Sequence, residues 1–192
     1  LHYTLRQAQG EDRINPHAEP VEASSTIIAH VLISKKMLSH LDSKNAPAMV
    51  NVAEKSVTKR LARARAIVVV GEEIMQLLEQ GEIRTAKGAV FQTAVIAGVM
   101  AAKRTGELIP LCHPLGLEHC GIEISVNDAR EIVIDCIASI TAKTGVEMEA
   151  LTGASIAALT VYDMCKAVSH NIVIREIQLM EKRGGKRDFV RD

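Results

Sequence analysis

Aromatic rings are nearly missing from this chain: its 192 residues include two Phe, two Tyr and no Trp. Hydrophobic residues still make up 47% of it. Any core must therefore come from close packing of Val, Ile, Leu, Ala and Met methyl groups rather than from stacked rings. The length suits one compactly folded domain and would cramp a second.

Charge narrows the partners. Lys plus Arg and Asp plus Glu each number 23, so no global field draws the chain to nucleic acid or to a membrane surface, and any anion site must be local. The scarcity of rings also leaves few platforms for stacking bases. Cys112, Cys120, Cys136 and Cys165 contain no CxxC pair, and the last three lie in apolar runs where a thiol acts as a small hydrophobe. No apolar run is long and uncharged enough to cross a bilayer, and the N-terminus lacks a basic-then-apolar secretory pattern. The expectation is a soluble, cytoplasmic protein.

Residues 1–36 mix Gln7, Gln9, Gly10, Pro16 and Pro20 with charges and hold no sustained period, which predicts a poorly structured tail before a single domain over 37–192. The apolar stretch 27–33 stands alone, with nothing near it to suggest chemistry. Residues 65–70 are β-branched and end at Gly71, as a buried strand would. A helix is expected from Gly71 to about Gly81, with Glu72 and Glu73 in its first turn and Ile74, Leu77 and Leu78 on one face. Val90, Ala94, Ala97 and Ala101 mark a second helix over 90–103, whose small side chains permit close packing. Two strand-like runs, 117–126 and 132–140, flank Asn127, Asp128 and Ala129 and predict an antiparallel hairpin. A long helix over 149–169 and a strand over 172–180 complete the order β, α, α, β, β, α, β. That order predicts an α+β fold, an antiparallel sheet with helices packed on one face.

Four polar segments stand against these apolar backgrounds. Lys87-Gly88 sits at the mouth of the second helix, where a lysine can move protons and free N–H groups favour phosphate, although a solvated lysine would look the same. Cys112-His113 lies between Pro110 and Pro114, a rigid loop presenting an imidazole. Cys112, His113, His119 and Cys120 would alternatively surround zinc, but adjacent ligands bite one ion awkwardly and the spacing matches no common zinc pattern. Glu147-Met148-Glu149 would read the polar edge of a purine-like ring, or simply favour the helix dipole. Asp163 and Lys166 pair at i, i+3, either as the usual exposed helical ion pair or, given apolar neighbours such as Met164 and Val168, as a partly buried one, and the sequence does not choose between them. Residues 183–187 read as a mobile basic segment able to close over phosphates, or as a solvated tail. Walker, GxSxG and dinucleotide fingerprints are missing.

Together MVNV at 49–52, KGAVFQTAVIAGVMAAKRT at 87–105, LIPLCHPL at 108–115, KTGVEMEALT at 143–152 and LTVYDMCKAV at 159–168 resemble one family, the molybdenum-cofactor biosynthesis protein C family of cyclic pyranopterin monophosphate synthases. The likeness runs in order from about Leu38 to Phe189. It implies a ferredoxin-like α+β fold and a homohexamer, a trimer of dimers, with sites between subunits. It implies a lyase that converts a cyclised dihydro-GTP to a pyranopterin with a cyclic phosphate and releases diphosphate, with no redox cofactor and no metal-ligating residues assigned, a magnesium requirement being left open. By the matching blocks, Lys87, Asp163 and Lys166 resemble the family's catalytic residues. Leu111, Cys112, His113, Met148 and Glu149, with Glu147, Arg60 and Lys186, resemble its substrate contacts. Asn51 departs from the family's usual Asp, and Arg187 stands where a glycine is usual.

Two rival readings use other residues: a zinc-stabilised module on Cys112 and Cys120, and an RNA-binding domain on the basic strand 59–65. For the main reading, a helix carrying both Glu149 and Asp163 would separate them by about 21 Å along its axis. Either Glu149 precedes the helix and folds back, or an extended substrate spans the gap, or a neighbouring chain brings Lys87 toward Asp163, and the last is the expectation.

Overall fold

The computed structural model describes residues 46–191. The tail expected over 1–36 and the apolar stretch 27–33 lie outside the described residues.

Alternation of small and basic residues builds the central strand. In β1 (Thr58–Val69), Ala62, Ala64, Ala66 and Val68 are fully buried, while Arg63 and Arg65 point to the opposite face, the period of two that a pleated strand imposes. The strand starts earlier than its β-branched stretch, because the Leu61–Ala66 alternation extends it toward the N-terminus. β1 pairs antiparallel with β6 (Ile132–Ala142) on one side and β7 (Val173–Arg183) on the other, and β5 (His119–Val126) pairs outside β6. A short β8 (Phe189–Val190) extends the edge beyond β7. The sheet order is β5-β6-β1-β7-β8.

Two long helices cover one face, α2 (Val90–Ala102) and α4 (Glu147–Cys165). The long elements therefore run β1-α2-β5-β6-α4-β7, and every neighbouring pair of strands is antiparallel. This split βαβ arrangement is the ferredoxin-like order expected for the α+β class. The core is aliphatic: Val90, Ala94, Ala150, Ala154, Ala157, Ala158 and Val161 from the helices meet Ile132, Ile134, Cys136 and Ala138 from the sheet.

One expected element is shortened. The helix predicted to run to Gly81 is a single turn, α1 (Glu72–Met75), followed by β2 (Leu78–Glu79), β3 (Glu82–Thr85) and β4 (Gly88–Ala89), a small three-stranded sheet. Gln80 and Gly81 have φ of 51° and 78°, the left-handed pair of a tight hairpin turn, and Leu78 and Glu79 pair with Ile83 and Glu82. A second short turn, α3 (Thr105–Leu108), follows α2. There Gly106 lets the His113–Pro114 backbone approach: a Cβ would meet Pro114 Cα at 2.9 Å.

The uncovered face of the sheet carries charge in balance. Asp135 accepts from Arg63 at 3.2 Å and from Arg65 at 2.7 Å, and Glu181 lies beside Arg63. The Asp135 carboxylate holds the Arg65 guanidinium above its ordinary pKa. Arg63 and Arg65 of the basic strand 59–65 are thus neutralised by their neighbours, which weakens the feature on which an RNA-binding reading rests.

Candidate active site

Asp163 is the centre of the tightest cluster of charges. It sits in the last turn of α4 and accepts from Lys87 Nζ at 2.7 Å through Oδ2 and from Lys166 Nζ at 2.8 Å through Oδ1. Lys87 Nζ also donates to the Asp163 backbone carbonyl at 3.0 Å, one of the carbonyls a helix C-terminus leaves free. Ala86 and Lys87 form the turn between β3 and β4, where Thr85 pairs with Gly88, and Gly88 has the left-handed φ of 110°. The turn thus projects Lys87 across to α4 of the same chain. This overturns the expectation that a neighbouring chain brings Lys87 to Asp163.

The cluster is also open to solvent, the exposed ion pair of the two alternatives that the sequence left open. The Asp163 side chain is 55% exposed, because Met164 and Cys165 turn inward while Asp163 and Lys166 turn out. The Lys166 ammonium, and then that of Lys87, hold the Asp163 carboxyl down at about 2. Asp163 in turn raises the pKa of Lys166. The arrangement is an ionised carboxylate between two ammonium groups, suited to holding phosphate oxygens and donating protons. An apolar cleft lined by Leu77, Arg84, Met164 and Val168 opens beside Lys87.

Of the backbone amides at the helix mouth, those of Phe91 and Gln92 are already taken by the Glu82 carboxylate.

The other candidates gather at the opposite end of α4. Glu149 is buried, 3% exposed, and burial first, then the nearby Glu147, raises its pKa. Cys112 lies close enough to feel that carboxyl: burial, then Glu149, pushes its thiol up. Leu111, Cys112 and His113 are half-buried in the loop that Gly106 admits, and Met148 is exposed on α4. Glu149 also lines a cavity of about 210 Å³ with Lys103, Arg104, Thr105 and Pro114. Lys103 and Arg104 were missed by sequence reasoning. Their signal was the KRT end of the 87–105 block, which reads equally as C-terminal basic residues favoured by the dipole.

Arg60, Glu147 and Lys186 line a third feature, a cavity of about 500 Å³ rich in cations, with Lys55, Lys143 and Lys182. Arg60 donates to the Ala142 carbonyl at 3.4 Å, and Lys182 donates to Glu147 at 3.2 Å. Segment 183–187 is not a free arm. Thr58 Oγ1 donates to the Gly184 carbonyl at 2.7 Å, and Gly184 N donates to Asp188 at 3.0 Å. Gly184, at φ 83°, packs against the Lys59 carbonyl where no Cβ would fit. Of the two departures, Asn51 caps an exposed turn by accepting from Ala53 N at 2.8 Å, a bond an Asp would make as well. Arg187 is exposed.

Cys112, His113, His119 and Cys120 do not converge on a point. Among the described residues no group of three or more His, Cys, Asp or Glu side chains is placed to hold a metal ion.

The sequence can be set beside known proteins. Residues 49–185 match the MoaC family. A cyclic pyranopterin monophosphate synthase of Xanthomonas campestris is 52% identical over 152 residues, which cover 79% of this chain and 92% of that protein. The protein of the same description from Xanthomonas oryzae is 51% identical over the same length. Molybdenum cofactor biosynthesis protein 1 of Drosophila melanogaster is 49% identical over 156 residues, 81% of this chain and 27% of that longer protein. By its match over most of its length and its identity to these relatives, the chain belongs to the MoaC family.

Proposed function

We propose that this protein is a cyclic pyranopterin monophosphate synthase, a lyase of molybdenum cofactor biosynthesis. It converts (8S)-3',8-cyclo-7,8-dihydroguanosine 5'-triphosphate to cyclic pyranopterin monophosphate and diphosphate. The observation that carries the reading is the Lys87–Asp163–Lys166 cluster, set in a chain half identical to enzymes of that description. Closing a cyclic monophosphate on a triphosphate forms one phosphoester bond and breaks the α–β anhydride, so negative charge gathers on the departing diphosphate. Two ammonium groups held by one carboxylate favour that charge, and they can supply a proton to the leaving oxygen.

Glu149, Glu147, Met148 and the 111–113 loop serve as contacts for the base and sugar, and Arg60 and Lys186, in the cation-rich cavity, as contacts for phosphates. Asp163 and Glu149 are about 21 Å apart along α4, too far for one small ring to reach both. A site completed by a second subunit, in a homohexamer built as a trimer of dimers, answers that distance. A cytoplasmic location agrees with four free cysteines, and among the described residues no helix is long and apolar enough to cross a membrane.

The test is direct. Purified protein incubated with the cyclised dihydro-GTP should release diphosphate and the cyclic phosphate in equal amounts. Absence of both from a folded preparation would refute the assignment.

A further inference from the structure

Helix α2 begins without a cap of its own. Ala89 stands at the N-cap position with φ −75° and ψ 117° and has no side chain that accepts from the first turn. The donors are occupied all the same, from another element. Glu82 Oε1 accepts from the amide of Phe91 at 2.8 Å, and Oε2 accepts from that of Gln92 at 3.2 Å. These are the second and third helical residues, the donors that an N-cap side chain would normally take. The same Oε1 accepts from Ile83 N at 2.9 Å, so a single carboxylate joins the start of β3 to the start of α2.

What it closes is the loop that carries Lys87. Glu82 follows directly on the tight Gln80–Gly81 turn, and Lys87 stands at the far tip, between β3 and β4. Little else fixes that tip. The two strands share only the pairs Arg84–Ala89 and Thr85–Gly88, and Ala86, Lys87 and Gly88 are exposed. Within the turn, Lys87 N donates to Thr85 Oγ1 at 3.2 Å. The Nζ must nevertheless meet Asp163 at 2.7 Å on another element.

We propose that Glu82 is a positioning residue for Lys87: by fastening the base of the 82–92 loop to the first turn of α2, it sets where the Lys87 ammonium stands against Asp163. The inference rests on the reading of Lys87 as a catalytic group. A displacement of about 1 Å at such a group costs on the order of a hundredfold in rate, so a loosened loop should be visible in kcat. A carboxylate that merely capped the helix would act on stability alone, and Ala89 offers the means of telling the two apart. Its extended backbone suits an aspartate, whose side chain would take over the Phe91 and Gln92 amides without tying them to β3.

The experiment compares the full-length wild type with E82A, A89D and E82A/A89D, with K87A and D163N as references. Tm and the kcat and KM for diphosphate release are measured. So is the 13C NMR signal of reductively methylated Lys87, assigned by its loss in K87A. In E82A, Tm should fall and kcat should drop about tenfold or more. In E82A/A89D, Tm should return while kcat stays low and the Lys87 signal stays shifted toward its position in D163N. Should E82A fail to fold, the double variant carries the same comparison. Recovery of kcat together with Tm in E82A/A89D would reduce Glu82 to a cap and overturn the proposal, as would a wild-type Lys87 signal in that variant. Full activity in K87A beside a shifted Lys87 signal in E82A/A89D would leave the positioning intact and remove Lys87 from the catalytic set.

Discussion

The crossing of α2 and α4 is packed so closely that a single methyl group is a useful probe. Gly153 lies on α4 over the sheet, where a Cβ would come 2.6 Å from Cys136 Sγ but no nearer than 3.4 Å to Ala102 Cβ and the Gly98 carbonyl. Only the sulfur is in the way. Cys136 is fully buried beneath the helix. Gly153→Ala should then cost about 1–3 kcal/mol in overpacking, against a gain of about 1 kcal/mol in helix propensity. The net loss is about 1 kcal/mol, or roughly 2–4 °C in Tm for a domain of this size. Cys136→Ala alone leaves a void and also destabilises, yet the two together let the new methyl fill the place of the sulfur. The double-mutant cycle should show a favourable coupling of about 1–2 kcal/mol, read from urea midpoints at unchanged m. At Gly98 the added Cβ would instead lie 2.7 Å from the Gly153 backbone carbonyl, so Cys136→Ala should give Gly98→Ala no relief. Additivity of Gly153→Ala and Cys136→Ala within about 0.5 kcal/mol would refute this reading of the crossing.

Lys87→Ala, Lys166→Ala and Asp163→Asn should each lower diphosphate release by on the order of a hundredfold or more. Tm should hold, because all three side chains are about half exposed; full turnover in any one variant removes that residue from the site. The Asp163 carboxyl, held down at about 2, contributes its ion pairs above the ordinary carboxylate pKa and loses them only as pH falls through 2. Carboxyl 13C NMR should therefore give a midpoint well below 4, and a midpoint near 4 would mean that the ammonium groups do not hold it. Lys87 and Asp163 share a chain, so the complementing pair for a site between subunits is Asp163→Asn with Glu149→Gln. Refolded as proven mixed oligomers, these inactive proteins should regain part of the activity, and none would return if both residues serve one subunit's site. A chain started at Met37 should keep its melting temperature and turnover, and loss of either would make the preceding residues structural.

The sequence was most legible where one period ruled a whole element. Val90, Ala94 and Ala101 mark α2 to within a residue of its ends, and Asn127 and Asp128 mark the β5–β6 hairpin. It was least legible between Gly71 and Gly88. There Ile74, Leu77 and Leu78 satisfy a helical face, yet the chain leaves the helix after one turn and pairs Leu78 with Ile83. Periodicity has no access to that choice, because the pairing partner lies across a turn whose left-handed pair includes a glutamine, Gln80. The site divides in the same way. Residue types left Lys87, Asp163 and Glu149 open to bland readings and the family resemblance singled them out, whereas the exposure of Asp163 depends on which way one helical turn faces. The cations of the basic cavity, Lys55, Lys143 and Lys182, come from three separate segments that only the fold joins.

The protonation states set a division of labour for the proposed reaction. Lys166 is held as an ammonium by Asp163, and the Asp163 carboxyl, held down at about 2, is ionised near neutrality. This cluster therefore offers positive charge and N–H donors, and its carboxylate is too weak a base to take a proton near neutrality. Ring opening and reclosure on a pterin precursor need a group able both to give and to take one. Glu149 has the environment for that exchange: it is buried, its carboxyl is raised by lost hydration and by Glu147, and Lys103 and Arg104 line the same cavity. If Glu149 moves the proton while Lys87 and Lys166 hold the phosphates, Glu149→Gln should flatten the acid limb of the kcat/KM profile. Lys166→Ala should lower the whole profile without moving that limb. Loss of the limb in the lysine variant instead would assign the titrating group to the wrong end of α4.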